Sequence, residues 1–433
     1  MAKKLRILKK FIFEYKESIV LRRFIKLFSV DGFVKASGII FLPIYLHLMT
    51  QEEYAVFNYM LSVIGTFGLV LNFGLYVSQI KLYHSLRSEE RASLLYTINV
   101  ILIVFLIIFL APLYFFGWDD VLVKSLFSKS IAYHHYRWLI LIGMISSVYS
   151  CMLLYFFMAE ELVAEQQLYN LSRFIIGTVV GVCAMYWLSG DKADIRAKAY
   201  LFSEIFALTF FFHFYINVMC PKVNLGLAVK ALKIGLPIMG SAILGVFVNF
   251  SDKYFIEKYC SLADLSVYYL SFTLANIITI VFSAFQNVWL PLFLKEKDVS
   301  LNLAKTKKTF LVLGGVFVAI ALFIWFGLFM AIFFEIIDEK YSGVLRILPY
   351  AMITCIISGL TGLLSNYVIY WNMTFLTILF GVFVACISLP LNYFGSKLYG
   401  ILGVSVVGVL VSAVQFNLYY IFILIKKKQY VNI

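Results

Sequence analysis

Long apolar runs recur along the chain, and short clusters of charged and polar positions separate them. A bilayer core takes about 20 apolar residues per helical crossing, so each run reads as one membrane-spanning helix. About twelve are predicted, over roughly 27–48, 54–80, 94–117, 136–158, 168–189, 199–219, 232–258, 266–292, 308–334, 347–370, 372–394 and 399–425. The runs far exceed the ~10-residue alternating strands of an outer-membrane barrel, which excludes that architecture. No separator is longer than about twenty residues, too short for a folded extramembrane domain. The predicted class is an all-α integral membrane protein.

An even number of crossings puts both termini on one side. Under that topology roughly 23 Lys and Arg fall on the terminal side, roughly 10 opposite and roughly three within spans, so the positive-inside rule predicts cytoplasmic termini. The acidic "AEELVAEQQ" also falls on that side, but acids contribute little to orientation. The opening "MAKKLRILKKFIFEYKESIVLRRFIKLF" is basic and amphipathic, without a compact apolar region and cleavage site. It reads as a retained cytoplasmic segment on anionic lipid.

A weak internal repeat pairs "TQEEYAVFNYMLS" with "SLADLSVYYLSFT": Thr50 matches Ser261, Glu53 Asp264, Ala55 Ser266, Val56 Val267 and Phe57 Tyr268. Its offset, near half the chain, suggests two six-helix bundles around a central cavity. The expected organisation is a basic segment 1–26, a first bundle 27–219, a cytoplasmic linker 220–231, a second bundle 232–425 and a cytoplasmic tail 426–433.

Composition agrees: 63% of residues are hydrophobic and 14% charged, where a soluble domain carries about 25% charged residues. The net charge of +13 collects at helix ends, so topology accounts for it and nucleic acid is not implied. The six cysteines are scattered and lack CxxC spacing, and His134 and His135 are adjacent rather than one turn apart, so neither set predicts a metal site. The histidines read as lying in a wet loop. No nucleotide-binding P-loop, GxSxG or HExxH occurs, so no enzyme and no cofactor is predicted. "WDD" at Trp118–Asp120 reads as a solvated helix cap.

The informative residues are ionisable groups inside spans, which cost about 2.5–3.5 kcal/mol each to insert and usually face a cavity or partner. Asp31 and Lys35 stand at i,i+4 in the first span, a cation with a tuning acid. In "NFSDKYFIEKY" of the seventh span, Asn249, Lys253 and Glu257 share one stripe with Asp252 beside it. Asp252 and Lys253 are expected to look into the cavity, and Glu257 and Lys258 to mark the headgroup boundary. Arg173, about one turn into the fifth span, could clamp an anion or snorkel, and Lys81 is similar. Glu204 and His213 form a weak candidate proton relay. Asn72, Gln79, Gln286 and Asn287 are candidate cavity amides, although interhelical hydrogen bonds explain them equally well.

The block "LKIGLPIMGSAILGVFVNFSDKYFIEKYCSLADLSVYYLSFTLANIITIVFSAFQNVWLPLF" resembles the polysaccharide-transport (O-antigen flippase) branch of the multidrug/oligosaccharidyl-lipid/polysaccharide exporter superfamily. "GLP", "SDKYFI", "VYYLSFTLA" and "AFQNVWLPLF" carry the likeness, and "LPIYLHLMTQEEYAVFNYMLSVI" and "YGILGVSVVGVLVSA" fit it. The resemblance implies a flippase moving undecaprenyl-pyrophosphate-linked oligosaccharide from the cytoplasmic to the periplasmic leaflet of a bacterial inner membrane by alternating access. Lys35, Lys253 and Arg173 would then meet the anionic substrate, while Asp31 and Asp252 would tune them or couple to H+ or Na+. Its implied partners are the lipid-linked substrate, membrane lipids, and a polysaccharide polymerase and chain-length regulator. "SDKYFI" departs from the family in carrying Lys where Arg is common, which puts bidentate phosphate recognition there in doubt. A cation-coupled multidrug exporter of the same superfamily and a membrane-embedded oligosaccharide polymerase are the alternatives. A drug exporter would favour an acidic cavity, and a polymerase needs a larger external loop.

Overall fold

A computed structural model describes residues 38, 40–120, 126–127, 131–371, 373 and 375–431. The described chain is built from helices α1 (Leu42–Leu48), α2 (Gln51–Leu71), α3 (Leu75–Tyr83), α4 (Ser88–Phe115), α5 (Tyr133–Ala159), α6 (Val163–Trp187) and α7 (Lys192–Val218). There follow α8 (Leu225–Asn249), α9 (Ser251–Tyr259), α10 (Leu262–Lys295), α11 (Val299–Phe333), α12 (Val344–Tyr370) and α13 (Phe375–Val431). Ten stretches are long and apolar enough to span a membrane. Within α13 the chain reverses at Gly400, whose φ of 61° and ψ of −146° are not helical, so this element holds two crossings. With α1 as the described end of the first predicted span, the total is twelve.

Helices α2 to α7 pack on one another, and α8 to α13 do likewise. The two groups meet where α10 lies on α2 and where α8 lies on α2, α3 and α4. Residues such as Ile107, Leu322 and Phe323 are exposed, the outward apolar surface expected of helices in lipid. The internal repeat has a local cause. Thr50 and Ser261 both cap the helix that follows, accepting from the backbone N–H of Glu53 and Asp264 at 3.1 Å. The acids return the bond to the cap N–H at 2.8 and 3.2 Å, two instances of the reciprocal capping box. Each thus starts the second crossing of its half.

Because the crossings alternate, the turns near Met49, Asp191, Cys260 and Lys340 lie with Gly400 at one end of the molecule. There the two halves are clasped. Lys340 Nζ donates to the Met49 carbonyl at 3.2 Å, Gln51 Nε2 donates to the Lys340 carbonyl at 2.6 Å, and His47 faces Asp338 at 3.7 Å. The Lys340 ammonium, 2.8 Å from Asp338, holds that carboxyl below the usual carboxylate range. Tyr54 meets Tyr341 edge-on, and Tyr269 donates to Ser62 Oγ at 2.9 Å deeper in the seam.

A second junction joins α3 and α4 to α8 and the segment before it. Ser78 Oγ donates to the Ala231 carbonyl at 2.7 Å, Ser93 Oγ to that of Lys222 at 2.8 Å, and the Asn224 N–H to Thr97 Oγ1 at 3.0 Å. At its centre two backbones nearly touch. A Cβ on Gly235 would lie 2.6 Å from the Phe73 carbonyl oxygen, and the opposing Gly74 has φ +66°. Phe73 and Gly74, both at positive φ, break α2 from α3 within one crossing.

The expected solvated cap at "WDD" is corrected. Asp119 is fully buried and receives both Nε and Nη2 of Arg137, the latter at 2.8 Å, with the Tyr133 hydroxyl at 2.9 Å. The bidentate guanidinium is what makes burial of the carboxylate tolerable. His134 and His135 occupy the first turn of α5 rather than a loop, exposed and facing Asp120 and Asp194 at 3.5 Å.

Candidate functional site

The first group of helices encloses a polar cavity of about 510 Å³ between α1, α2, α6 and α7. Its inner wall holds Arg173. Because α6 begins at Val163, ten residues earlier, Arg173 lies about 15 Å along the helix rather than one turn from its end. Its guanidinium turns into the cavity onto Glu204 rather than toward the helix end. Arg173 Nε donates to Glu204 Oε1 at 2.8 Å and Nη2 engages the same oxygen. Ser150 Oγ donates to Glu204 Oε2 at 2.9 Å. Tyr169 supports the pair from below, its hydroxyl 2.6 Å from Ser150 Oγ and its ring 5.1 Å from the guanidinium. Glu204 is thus committed to Arg173. His213, nine residues further on and exposed, bonds the Phe210 carbonyl at 2.6 Å, so the two do not form a relay.

Arg196 shares this cavity, and sequence reasoning missed it because it precedes the predicted span 199–219. In the structure α7 starts at Lys192, so Arg196 is already helical. Arg196, Tyr200, Ser203 and Glu204 then fall on one face at i, i+4, i+7 and i+8, and all four line the cavity. That stripe was the available signal. The guanidinium carbon lies 3.5 Å from the Tyr45 ring centroid and 4.1 Å from that of Phe57. Nη1 points to Met49 Sδ at 3.4 Å, and among the described residues no carboxylate pairs with it.

The second group encloses a smaller cavity of about 270 Å³, and Asn249, Asp252 and Lys253 line it together with Tyr268, Ser388 and Asn392. Asp252 and Lys253 therefore face a cavity within one bundle. Lys253 Nζ is 3.0 Å from both Asp252 oxygens and donates to the Asn249 carbonyl at 2.8 Å. The Tyr268 hydroxyl donates to Asp252 Oδ2 at 2.6 Å. A break at Phe250 separates α8 from α9 beside these groups. The boundary role expected of Glu257 is corrected: it is buried, because it continues the inward stripe one turn beyond Lys253. Lys258 is exposed and donates to the Tyr254 hydroxyl at 3.0 Å.

The remaining candidates divide differently. Asn72 and Gln79 are fully buried and line neither cavity. Asn72 Nδ2 donates to the Val148 carbonyl at 3.3 Å, and Gln79 Nε2 to that of Met152 at 3.2 Å. Both amides fasten α2 and α3 to α5, where an unbonded polar group would be costly. Gln286 Nε2 donates to Asn366 Oδ1 at 2.6 Å, joining α10 to α12. Lys81 is exposed near the end of α3. Asp31, Lys35 and the side chain of Asn287 lie outside the described residues.

This architecture is found in solved transporters. An inward-facing multidrug resistance MATE family transporter of the MOP superfamily superimposes with a TM-score of 0.68 at 15% identity, covering 92% of this chain and 99% of that one. The lipid II flippase MurJ in an inward closed conformation gives 0.64 at 15% identity, over 92% and 87%. An outward-facing MATE transporter gives 0.55 at 15% identity, over 94% of each chain. These likenesses establish the fold: two six-helix bundles around a central cavity. No curated protein matches the chain in sequence. The family described as "Polysaccharide biosynthesis protein" matches residues 20–297, well over half the sequence, and the chain belongs to that family.

Proposed function

We propose that this protein flips undecaprenyl-pyrophosphate-linked oligosaccharide from the cytoplasmic to the periplasmic leaflet of a bacterial inner membrane, with both termini cytoplasmic. The observation that carries this reading is the excess of positive charge inside the first bundle. Among the described residues its cavity is lined by Arg173, Arg196 and one acid, Glu204, in a membrane-spanning setting where an unpaired charge is expensive without a ligand to meet. A diphosphate-linked glycan supplies that negative charge, and its polyprenyl tail stays in lipid while the polar head crosses.

The clasp at the Gly400 end suits alternating access. With cytoplasmic termini, that end faces the periplasm, so this conformation is closed outward. The higher TM-score with the inward-facing than with the outward-facing MATE transporter agrees with it. Opening requires the Lys340, Gln51 and His47 contacts to part while the junction at Gly74 and Gly235 acts as the pivot.

Deletion of the gene in a strain with no other flippase tests the proposal. The expected result is loss of surface polysaccharide and accumulation of lipid-linked repeat units that stay inaccessible to a glycan-modifying enzyme added outside the membrane. Normal surface polysaccharide in that strain refutes it. Sensitisation to cationic drugs with unchanged polysaccharide would identify a multidrug exporter instead.

A further inference from the structure

We infer that Arg196 is the receptor for a phosphate-type oxyanion, and that the ligand enters between α1 and α6 as the head of a lipid. Among the described residues that line the first-bundle cavity the charges do not balance. Arg173 and Glu204 neutralise each other through bonds shared with Ser150. Arg196 lies eight residues from Glu204 on α7, about 12 Å along the axis, so that acid serves Arg173 and not Arg196.

Guanidinium carries five N–H donors in a fixed plane. For Arg196 one acceptor at hydrogen-bond distance is the Met49 thioether at 3.4 Å, a weak one. Tyr45 and Phe57 lie close to its carbon, at 3.5 and 4.1 Å to their centroids. Such contacts stabilise the cation and fix the plane of the fork, and the Tyr45 side chain also hydrogen-bonds the guanidinium, leaving the rest of its five N–H groups for a ligand. A clamped guanidinium with unused donors, opening on a cavity of about 510 Å³, matches the fork-to-fork geometry by which arginine binds phosphate. Asn58 and Asn170 on the same walls add neutral polar groups.

The other side of the same helix pair is apolar. A groove of about 520 Å³ is lined by Pro43, Ile44 and Leu48 of α1 and by Val182, Tyr186 and Trp187 of α6. Tyr45 of α1 lines the inner cavity while its neighbour Ile44 lines the outer groove, so the seam between α1 and α6 separates a charged compartment from a greasy one. An amphiphile with a phosphate head and a hydrocarbon tail satisfies both at once. The identity of the lipid rests on the flippase reading; the oxyanion site does not.

The test uses the full chain in nanodiscs of zwitterionic lipid. Inorganic diphosphate is titrated in one arm and a polyprenyl diphosphate is added to the bilayer in the other, with binding read by thermal shift and native mass spectrometry. Arg196→Gln is expected to weaken binding about tenfold or more, the loss of a charge-assisted contact. Asn58→Asp keeps size and places a carboxylate in the same cavity, and is expected to weaken binding with Arg196 intact. Lys305→Gln, on α11 of the second group and paired with Glu296, should bind as the parent does. Binding of the lipid alone supports a headgroup held jointly by fork and groove, and binding of both probes supports recognition of the oxyanion itself. The inference is overturned if the parent binds neither probe, or if Arg196→Gln and Asn58→Asp fold and bind as the parent does. Because the readout is binding, it can fail while the deletion strain still accumulates lipid-linked glycan, and it can succeed where that strain exports normally.

Discussion

Glu204→Gln isolates the buried ion pair that lines the first-bundle cavity. The substitution keeps the shape and an acceptor for Ser150 but removes the charge opposite Arg173. The Glu204 side chain is 3% exposed and that of Arg173 24%. Breaking a buried pair by neutralising one partner costs about 3–5 kcal/mol, and the partial exposure of Arg173 places this case near 3 kcal/mol. Spread over an unfolding entropy of about 2.1 cal/mol/K per residue, that lowers Tm by roughly 3 °C if the whole chain unfolds together, and by about twice that if the first bundle unfolds alone. The assay is thermal unfolding in nanodiscs of the parent, Glu204→Gln, Arg173→Gln and the double variant. Two facing amides can hydrogen-bond, so the double variant should be more stable than the sum of the single losses predicts, by about 2 kcal/mol. Losses that simply add, or a Glu204→Gln shift below about 0.5 kcal/mol, refute the pairing as the reason these charges share the cavity.

Gly235→Ala forces a methyl to within 2.6 Å of the Phe73 carbonyl oxygen, whereas a Cβ on Gly240 of the same helix meets nothing within 4 Å. The first should cost about 1–3 kcal/mol and the second should be neutral or stabilising by up to about 1 kcal/mol, read as melting temperatures side by side. Lys340→Ala removes the bond to the Met49 carbonyl and the ion pair with Asp338, together worth about 1 kcal/mol at an exposed site. It should raise labelling of a cysteine placed at Gln51 several-fold, and unchanged labelling counts against a clasp. Asp119→Asn tests the buried pair with Arg137. Burial pushes the Asp119 carboxyl up, but the bonds from Arg137 and Tyr133 outweigh this and hold it below the ordinary range. A depressed folded value stabilises the protein above the unfolded value of about 3.9, and that stability is lost as pH falls through the folded value. The melting difference between parent and Asp119→Asn should therefore be largest near neutrality and narrow below about pH 4.

Apolar run length alone gave the number and order of crossings, because the bilayer imposes one length on every helix. Helix ends were legible less well. Helix α6 begins at Val163 and α7 at Lys192, several residues before the apolar runs do, since polar residues continue a helix wherever a neighbouring helix covers them. That offset places Arg173 near the middle of its helix and brings Arg196 into view. Asp252 and Lys253 were legible as a polar arc, but not that each would satisfy the other, because spacing along one helix says nothing about Tyr268 on the next. Asp119 was misread for a similar reason: its partner Arg137 lies 18 residues away on the following helix.

Spare hydrogen-bonding capacity, rather than charge alone, separates the cations that can meet a ligand from those that hold the fold. Lys253 has three donors, and its contacts with Asn249 and both oxygens of Asp252 match them. Arg173 has five, two of which engage Glu204. Arg196 also has five, met by the Met49 sulfur and the Tyr45 side chain and by no carboxylate among the described residues. A substrate phosphate reaching Lys253 must first displace Asp252, an exchange of one anion for another with little net gain. At Arg196 it competes with no carboxylate among the described residues, only with the Met49 thioether and the Tyr45 side chain. Desolvating an anion inside the membrane is offset only where donors are available, so on the proposed flippase reading the first bundle, not the lysine that stands out in the sequence, is the better place to hold the charged head.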